Sequence, residues 1–217
     1  MREPEEILEN TIPMDNTADI ECGRLTLANI IDARAIQAMM ADFYQLTGIS
    51  SAVIDIAGNV LAAVGWQDIC TRFHRHHPET RKKCLESDLV LSAGVSRGEF
   101  KTYRCRNNLW DMATPIEIDG LHLGNIFLGQ FFFDDEIPDY DLFREQARRY
   151  GFPETDYLAA LDRVPRWSRK NVQQAMNFYA RLAEMISFQG YVNYQLSLAV
   201  SQKDAALREM AVSRERQ

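Results

Sequence analysis

The chain has 217 residues, a formal net charge of −7, 46% hydrophobic and 10% aromatic content. That is enough for one ordinary domain, or one domain with an appendage, around a real core. The acidic balance argues against a nucleic-acid surface, and with no run of about 18 apolar residues and no signal-peptide pattern the expectation is a cytoplasmic protein with no membrane partner.

Residues 1–23 are acidic, carry Pro4 and Pro13, and lack a sustained apolar period, so they read as a weakly ordered tail. From Asp32 the spacing turns helical: Ile36, Met39, Met40, Phe43 and Leu46 share one face, with Asp32 as N-cap and Gly48 as stop. Residues 51–56 and 60–64, joined by Ala57-Gly58-Asn59, read as a tight hairpin. Pro78 opens a helix that runs to Gly94. A second hairpin pairs residues 101–105 with 109–118, placing Trp110, Met112, Thr114, Ile116 and Ile118 on one side. Pro115 calls for a bulge or an edge nearby. Asp119-Gly120 then turns the chain into a long apolar strand over 121–133.

After Asp134 the pattern is helical. Asp139 caps a helix ending at Gly151, a short helix covers 155–161, and Ser168 caps a long one through Val172, Met176, Tyr179, Leu182 and Ile186. Beyond it a heptad places Ile186, Asn193, Val200 and Leu207 at a-positions and Gln189, Leu196, Lys203 and Met210 at d-positions, a pattern that suits a homodimerising helix over 187–217. The fold class is α+β: a sensor-type, five-stranded antiparallel sheet with flanking helices, all on one face, in a domain spanning 24–186, followed by that long C-terminal helix.

The runs WQDICTRFH, CLESD, YRCRNNLWDMATPI and GQFFF occur in order between Trp66 and Phe133. Together they resemble a PocR-type ligand-binding domain, and the likeness extends from about Leu25 to Ile186. The resemblance implies a variant of the PAS-like sensor fold, placed upstream of histidine kinases of two-component systems, cyclic-dinucleotide enzymes or DNA-binding regulators in bacterial and archaeal signal transduction. It implies small organic ligands such as short alcohols and diols. Since the chain stops where an output domain would begin, it also implies an isolated sensory module whose output domain lies C-terminal to it.

Three aromatics (Trp66, Phe73, Trp110) and Phe131 with Phe133 are candidates to wall a pocket, and Gln67, Asp68, Tyr103, Asp111, Thr114 and Gln130 to supply its polar groups. Carboxylates and amides can hold a hydroxyl. A five-atom diol would reach at most about −7.5 kcal/mol, micromolar at best.

Of the four cysteines, Cys22 sits alone. Cys70 and His74 are four apart, and with Cys84 and Cys105 they form an alternative zinc or iron–sulfur set, for a metal or redox sensor. No C-x2-C pair supports it, and thiols that line or support the pocket are the competing reading. Arg75, His76 and His77 read as a polar surface run. No phosphate loop, H-E-x-x-H or cysteine-hydrolase signature is present, so no catalytic residue is assigned and no enzyme is expected.

Overall fold

The computed structural model describes residues 26–91 and 93–215. The tail assigned to residues 1–23, with Cys22, lies outside them. A short helix α1 (Leu27–Ile30) precedes α2 (Ala33–Thr47). The hairpin β1 (Ser51–Asp55) and β2 (Val60–Val64) follows, then a π-helical turn, Ile69–His74. Helix α3 (Pro78–Glu86) continues into a second π-helical turn, Ser87–Leu91, in place of one α-helix running to Gly94. Strands β3 (Lys101–Arg104), β4 (Trp110–Ile118) and β5 (Leu121–Phe133) complete the main sheet. Then come α4 (Tyr140–Tyr150), α5 (Glu154–Asp162), a two-residue strand β6 (Arg166–Trp167) and α6 (Arg169–Glu215). Among the described residues, no helix is long and apolar enough to cross a membrane.

The strands order as β2-β1-β5-β4-β3, antiparallel throughout, with β6 pairing parallel to the end of β5. Local chemistry sets the turns. The Asp55 carboxylate accepts from Ala57 N, Asn59 N and the Asn59 amide at 2.8–2.9 Å, closing the first hairpin. Asp119 (φ 53°) and Gly120 (φ 76°) form the left-handed pair that a tight hairpin needs. Pro115 sits where β3 has already ended, since Lys101 pairs with Ala113, and a register shift follows between Ile116 and Glu117. Its missing donor therefore costs no ladder bond. On the free edge of β2, the Gln37 amide bonds both Ala63 N (2.8 Å) and Ala63 O (2.9 Å).

One sheet face carries Val53, Met112, Ile116, Ile126, Leu128 and Phe131 against Ile36 and Met40 of α2 and Met176, Tyr179 and Leu182 of α6. The other carries Ala52, Ile54, Tyr103, Ala113 and Phe127 beneath Trp66. A third cluster joins Cys70 and Phe73 of the first π-turn to Phe143, Ala147, Tyr157 and Leu161 of α4 and α5. Helical segments thus cover both faces of the sheet, correcting the one-face layout. The amphipathic face of α2 is also narrower than its spacing suggested. Met39 and Leu46 are exposed because α2 lies along the β2 edge, beyond which no layer among the described residues buries them.

Helix α6 runs unbroken over 47 residues, capped by the Ser168 hydroxyl accepting from Asn171 N (3.2 Å). Its first half lies on the sheet. Gly190 marks the closest approach: a Cβ there would overlap the end of the Ile118 side chain and come within 2.8 Å of Ile30. Gly190→Ala should therefore lower the unfolding free energy by ~1–3 kcal/mol through overpacking, against the ~1 kcal/mol that alanine gains in helix propensity. Denaturant unfolding that shows net stabilisation would refute this close packing.

Candidate functional site

The second sheet face bears a polar layer built by three segments. The first is the π-turn after Trp66. Arg75 N donates to Cys70 O at 2.8 Å, five residues back, and this wider winding sends Phe73 and His74 down into the α4–α5 cluster while Arg75 turns over the sheet. The Arg75 guanidinium lies 4.4 Å from the Trp66 ring centroid and 2.8 Å from Asp88 Oδ2. Arg75 is thus an inward residue and not part of a surface run. His76 is exposed, whereas His77 is half-buried beside Tyr150 and Phe152.

The second and third segments are β4 and β5, where one extra residue interrupts the ladder. Trp110 pairs with Phe131 and Asp111 with Gly129, so Gln130 is a bulge. Gln130 adopts φ 65°, a left-handed conformation rare outside glycine. Two bonds offset that cost: its N–H donates to Asp111 Oδ1 (3.1 Å), and its Oε1 accepts from Gln67 N (2.6 Å). A side chain at Gly129 would collide with the Asp111 carboxylate, so the carboxylate occupies the space that glycine leaves.

The electrostatics follow from this crowding. Asp111 is partly accessible but deep-set; burial, reinforced by the nearby Asp88 charge, pushes its pKa up to about 7. Burial also raises Asp88, against the pull of Arg75. Tyr103, opposite Asp111 in the ladder, is buried, its pKa raised by burial and the Asp111 charge, and its hydroxyl makes no hydrogen bond among the described residues. Between Arg75, Asp88, Asp111, Ser50, Ala52 and Phe127 lies a cavity of about 20 Å³, room for about one water molecule. This is smaller than the expected ligand-sized chamber, and the Arg75 and Asp88 side chains, paired with each other, are part of its wall.

Of the sequence candidates, Trp66, Asp111 and Gln130 line this cavity, and Gln67 and Tyr103 adjoin it. Five lie elsewhere. Asp68 is a surface residue paired with Arg163 (2.8 Å) and Arg72 (3.6 Å). Phe73 packs on Phe152 and Tyr157. Trp110 donates to Glu136 (2.7 Å) and, like Phe131 and Phe133, packs on the opposite face. Thr114 bonds Glu99 O (2.7 Å) on that same side. Arg75, Asp88, Ser50 and Gly129 were missed. Gly129 stood within a strand, and an isolated glycine in a strand is the one signal that marks a bulge or close approach.

The zinc or iron–sulfur set does not assemble. Cys70 Sγ is 4.0 Å from His74 Nδ1, while His74 Nε2 is 2.6 Å from Tyr157 OH, which itself donates to Gln146 (2.9 Å). Cys84 accepts from the Asn107 amide (3.2 Å) and Cys105 from Leu109 N (3.3 Å). Burial is the first cause that pushes all three thiols up. Burial also lowers His74 to about 3, leaving a neutral imidazole in the hydrogen-bonded chain. Among the described residues, no three His, Cys, Asp or Glu form a metal-holding group.

The raised Asp111 pKa fixes a sign. A carboxyl whose folded pKa exceeds its unfolded one stabilises fully below the unfolded value near 3.8 and loses that contribution as pH rises through about 7. His74, depressed, has the opposite slope over the acid range, so the Asp111 term is isolated only as a variant difference. Asp111→Asn, measured by thermal unfolding from pH 5 to 8, should gain stability relative to the parent chain as pH rises. A pH-independent difference would show that the carboxyl titrates normally.

The model of the family described as the sensory domain found in PocR matches residues 29–191. A curated relative, Regulatory protein PocR of Salmonella typhimurium (strain LT2), is 25% identical over 129 residues, 58% of this chain. The chain spans 42% of that relative's length. No solved structure matches. With the family model covering the sheet, the π-turns and the start of α6, the chain belongs to the PocR sensory-domain family.

Proposed function

We propose that this domain is the non-enzymatic ligand-sensing module of a bacterial or archaeal regulatory protein, and that a small polar organic molecule, such as a short alcohol or diol, binds at the Asp111–Tyr103 face. The observation that carries the reading is the buried Tyr103 hydroxyl, without a hydrogen-bond partner among the described residues, on the strand residue paired with Asp111, which itself lines the cavity with Gln130 and Arg75. A buried hydroxyl left without a partner costs about 1–3 kcal/mol. A hydroxyl-bearing guest would recover that cost, accepting from Tyr103 and donating to Asp111. Gln130 and Ser50 are within the same cavity, and Ala52, Phe127 and Trp66 give it apolar walls. The output domain, kinase or transcriptional regulator, lies C-terminal in this reading, and α6 links the two within a cytoplasmic homodimer. The metal- or redox-sensing alternative through Cys70, His74, Cys84 and Cys105 gains no support from the donor geometry; stoichiometric zinc or iron in the purified protein would revive it.

The test is a thermal-shift series with short alcohols and diols. The parent chain should gain melting temperature with rising ligand. Tyr103→Phe should be as stable as the parent without ligand, or more so by ~1 kcal/mol, yet bind at least about tenfold more weakly, one lost hydrogen bond being worth ~1.4 kcal/mol. Equal ligand shifts in both proteins, or none in either, would sink the assignment.

A further inference from the structure

The outward side of α6 carries a second pattern, which shares Leu196, Val200, Leu207 and Met210 with the heptad and parts from it at Ile186 and Asn193. Ile186 is buried in the sheet core and the Asn193 amide donates to Ile30 O (3.2 Å), so those a-positions face the domain. Facing solvent instead are Met185 (67% exposed), Leu196 (63%) and Leu207 (53%), each eleven residues from the next. Phe188 and Met210, both 66% exposed, flank them with Ala199 midway at the same spacing. Val192 and Val200 fill the gaps. An eleven-residue repeat is 3.67 residues per turn, close to a straight helix with slight right-handed supercoiling. The apolar stripe from Met185 to Met210 therefore stays on one side of the helix for about 40 Å.

This stripe does not stop where the domain does. From residue 199 to 214 every position is exposed, yet the repeat continues through Leu207 and Met210 in the same phase. A projecting helix of that length is marginal alone in water. Charge selects what covers it. Lys203 lies within the stripe and Asp204 at its edge; in a parallel, in-register pair, Lys203 of each copy meets Asp204 of the other at the same height. The basic–acidic step recurs eleven residues on as Arg214–Glu215. An antiparallel partner would bring Gln189 against Lys203 and lose the match. Residues 199–215 hold three basic and three acidic side chains, so two copies do not repel.

We infer that α6 pairs with α6 of a second copy, parallel and in register, through the Met185–Leu196–Leu207 row. The inference deepens the sensory reading, in which α6 carries the signal to an output domain, by naming the surface and register of the homodimer. Full-length single-cysteine additions test it, compared with the parent chain under the same oxidation. Leu207→Cys should cross-link to a disulfide dimer and Asn193→Cys should not. Parent protein should scatter light as a dimer, and the Leu196→Asp, Leu207→Asp double variant as a monomer with the domain's melting temperature kept. Lys203→Asp should weaken the dimer about tenfold, and adding Asp204→Lys should restore it. A parent chain that is monomeric at its highest soluble concentration, or cross-linking between Met185→Cys and Leu207→Cys chains in preference to Leu207→Cys pairs, would overturn the inference. Ligand-induced thermal shifts are read separately, so a monomer that still responds to diols would remove the dimer and leave the sensor reading standing.

Discussion

Arg75 is the charge that makes the second sheet face possible. Asp88 and Asp111 both project into a region of low polarity; burial raises the pKa of both, and the Asp88 charge raises that of Asp111 further. Two deep-set carboxylates without a nearby cation would be driven to neutrality or outward. The guanidinium, held on one side by Asp88 and stacked on Trp66 on the other, supplies that cation. It also satisfies the geometric condition, because a planar group can lie flat on an indole and still donate in its own plane. Lysine would keep the charge and lose the stacking.

The placement of Arg75 and Asp111 rests in turn on two departures from regular structure. A continuous α-helix from Ile69 would keep the 3.6-residue winding and aim residue 75 elsewhere, and the π-turn widens it instead. An unbulged β5 would leave no gap opposite Asp111, and Gln130 in its left-handed conformation opens one. Both departures lie within the same layer and are bonded to each other through Gln67 N and Gln130 Oε1. Backbone strain held in place by surrounding bonds is a recurrent mark of binding sites.

The elements of the fold were legible because their signals are local. Asp32 and Gly48, Asp119-Gly120, and the unbroken apolar run from Leu121 act over a few residues, and the resulting spans agree closely with the structure. The site was legible only in part, for reasons that periodicity cannot carry. Arg75 follows a histidine and precedes two more, a context that looks solvent-facing unless the π-turn is known. Phe131 and Gln130 are neighbours in sequence, and simple alternation does separate them; but the bulge resets the phase, so Trp110 and Phe131 pair on the core face and leave the aromatic cluster split between two sides. The α6 pattern misled for a similar reason. A heptad and an eleven-residue repeat both pass through Leu196, Leu207 and Met210, and only the burial of Ile186 decides between them.

The cavity and α6 are one sheet thick apart, and specific bonds cross that thickness. Ser51 lines the cavity while its hydroxyl sits 2.7 Å from Tyr179 OH on α6. Gly129 and Gln130 border the cavity, and their neighbours Leu128 and Phe131 pack on the α6 side of the same strand. A five-atom guest does not fit about 20 Å³, so on the proposed reading its entry would require Arg75 to leave its place between Trp66 and Asp88, or the bulge to shift. A chamber that was already open would bind such a guest without favouring either arrangement, and no signal would follow, since a ligand moves an equilibrium only by its differential affinity for the two states. On the proposed reading the small cavity suits a sensor, because occupancy and the packing of the π-turn would exclude one another. The bulged strand β5 is one of the two strands against which α6 is laid.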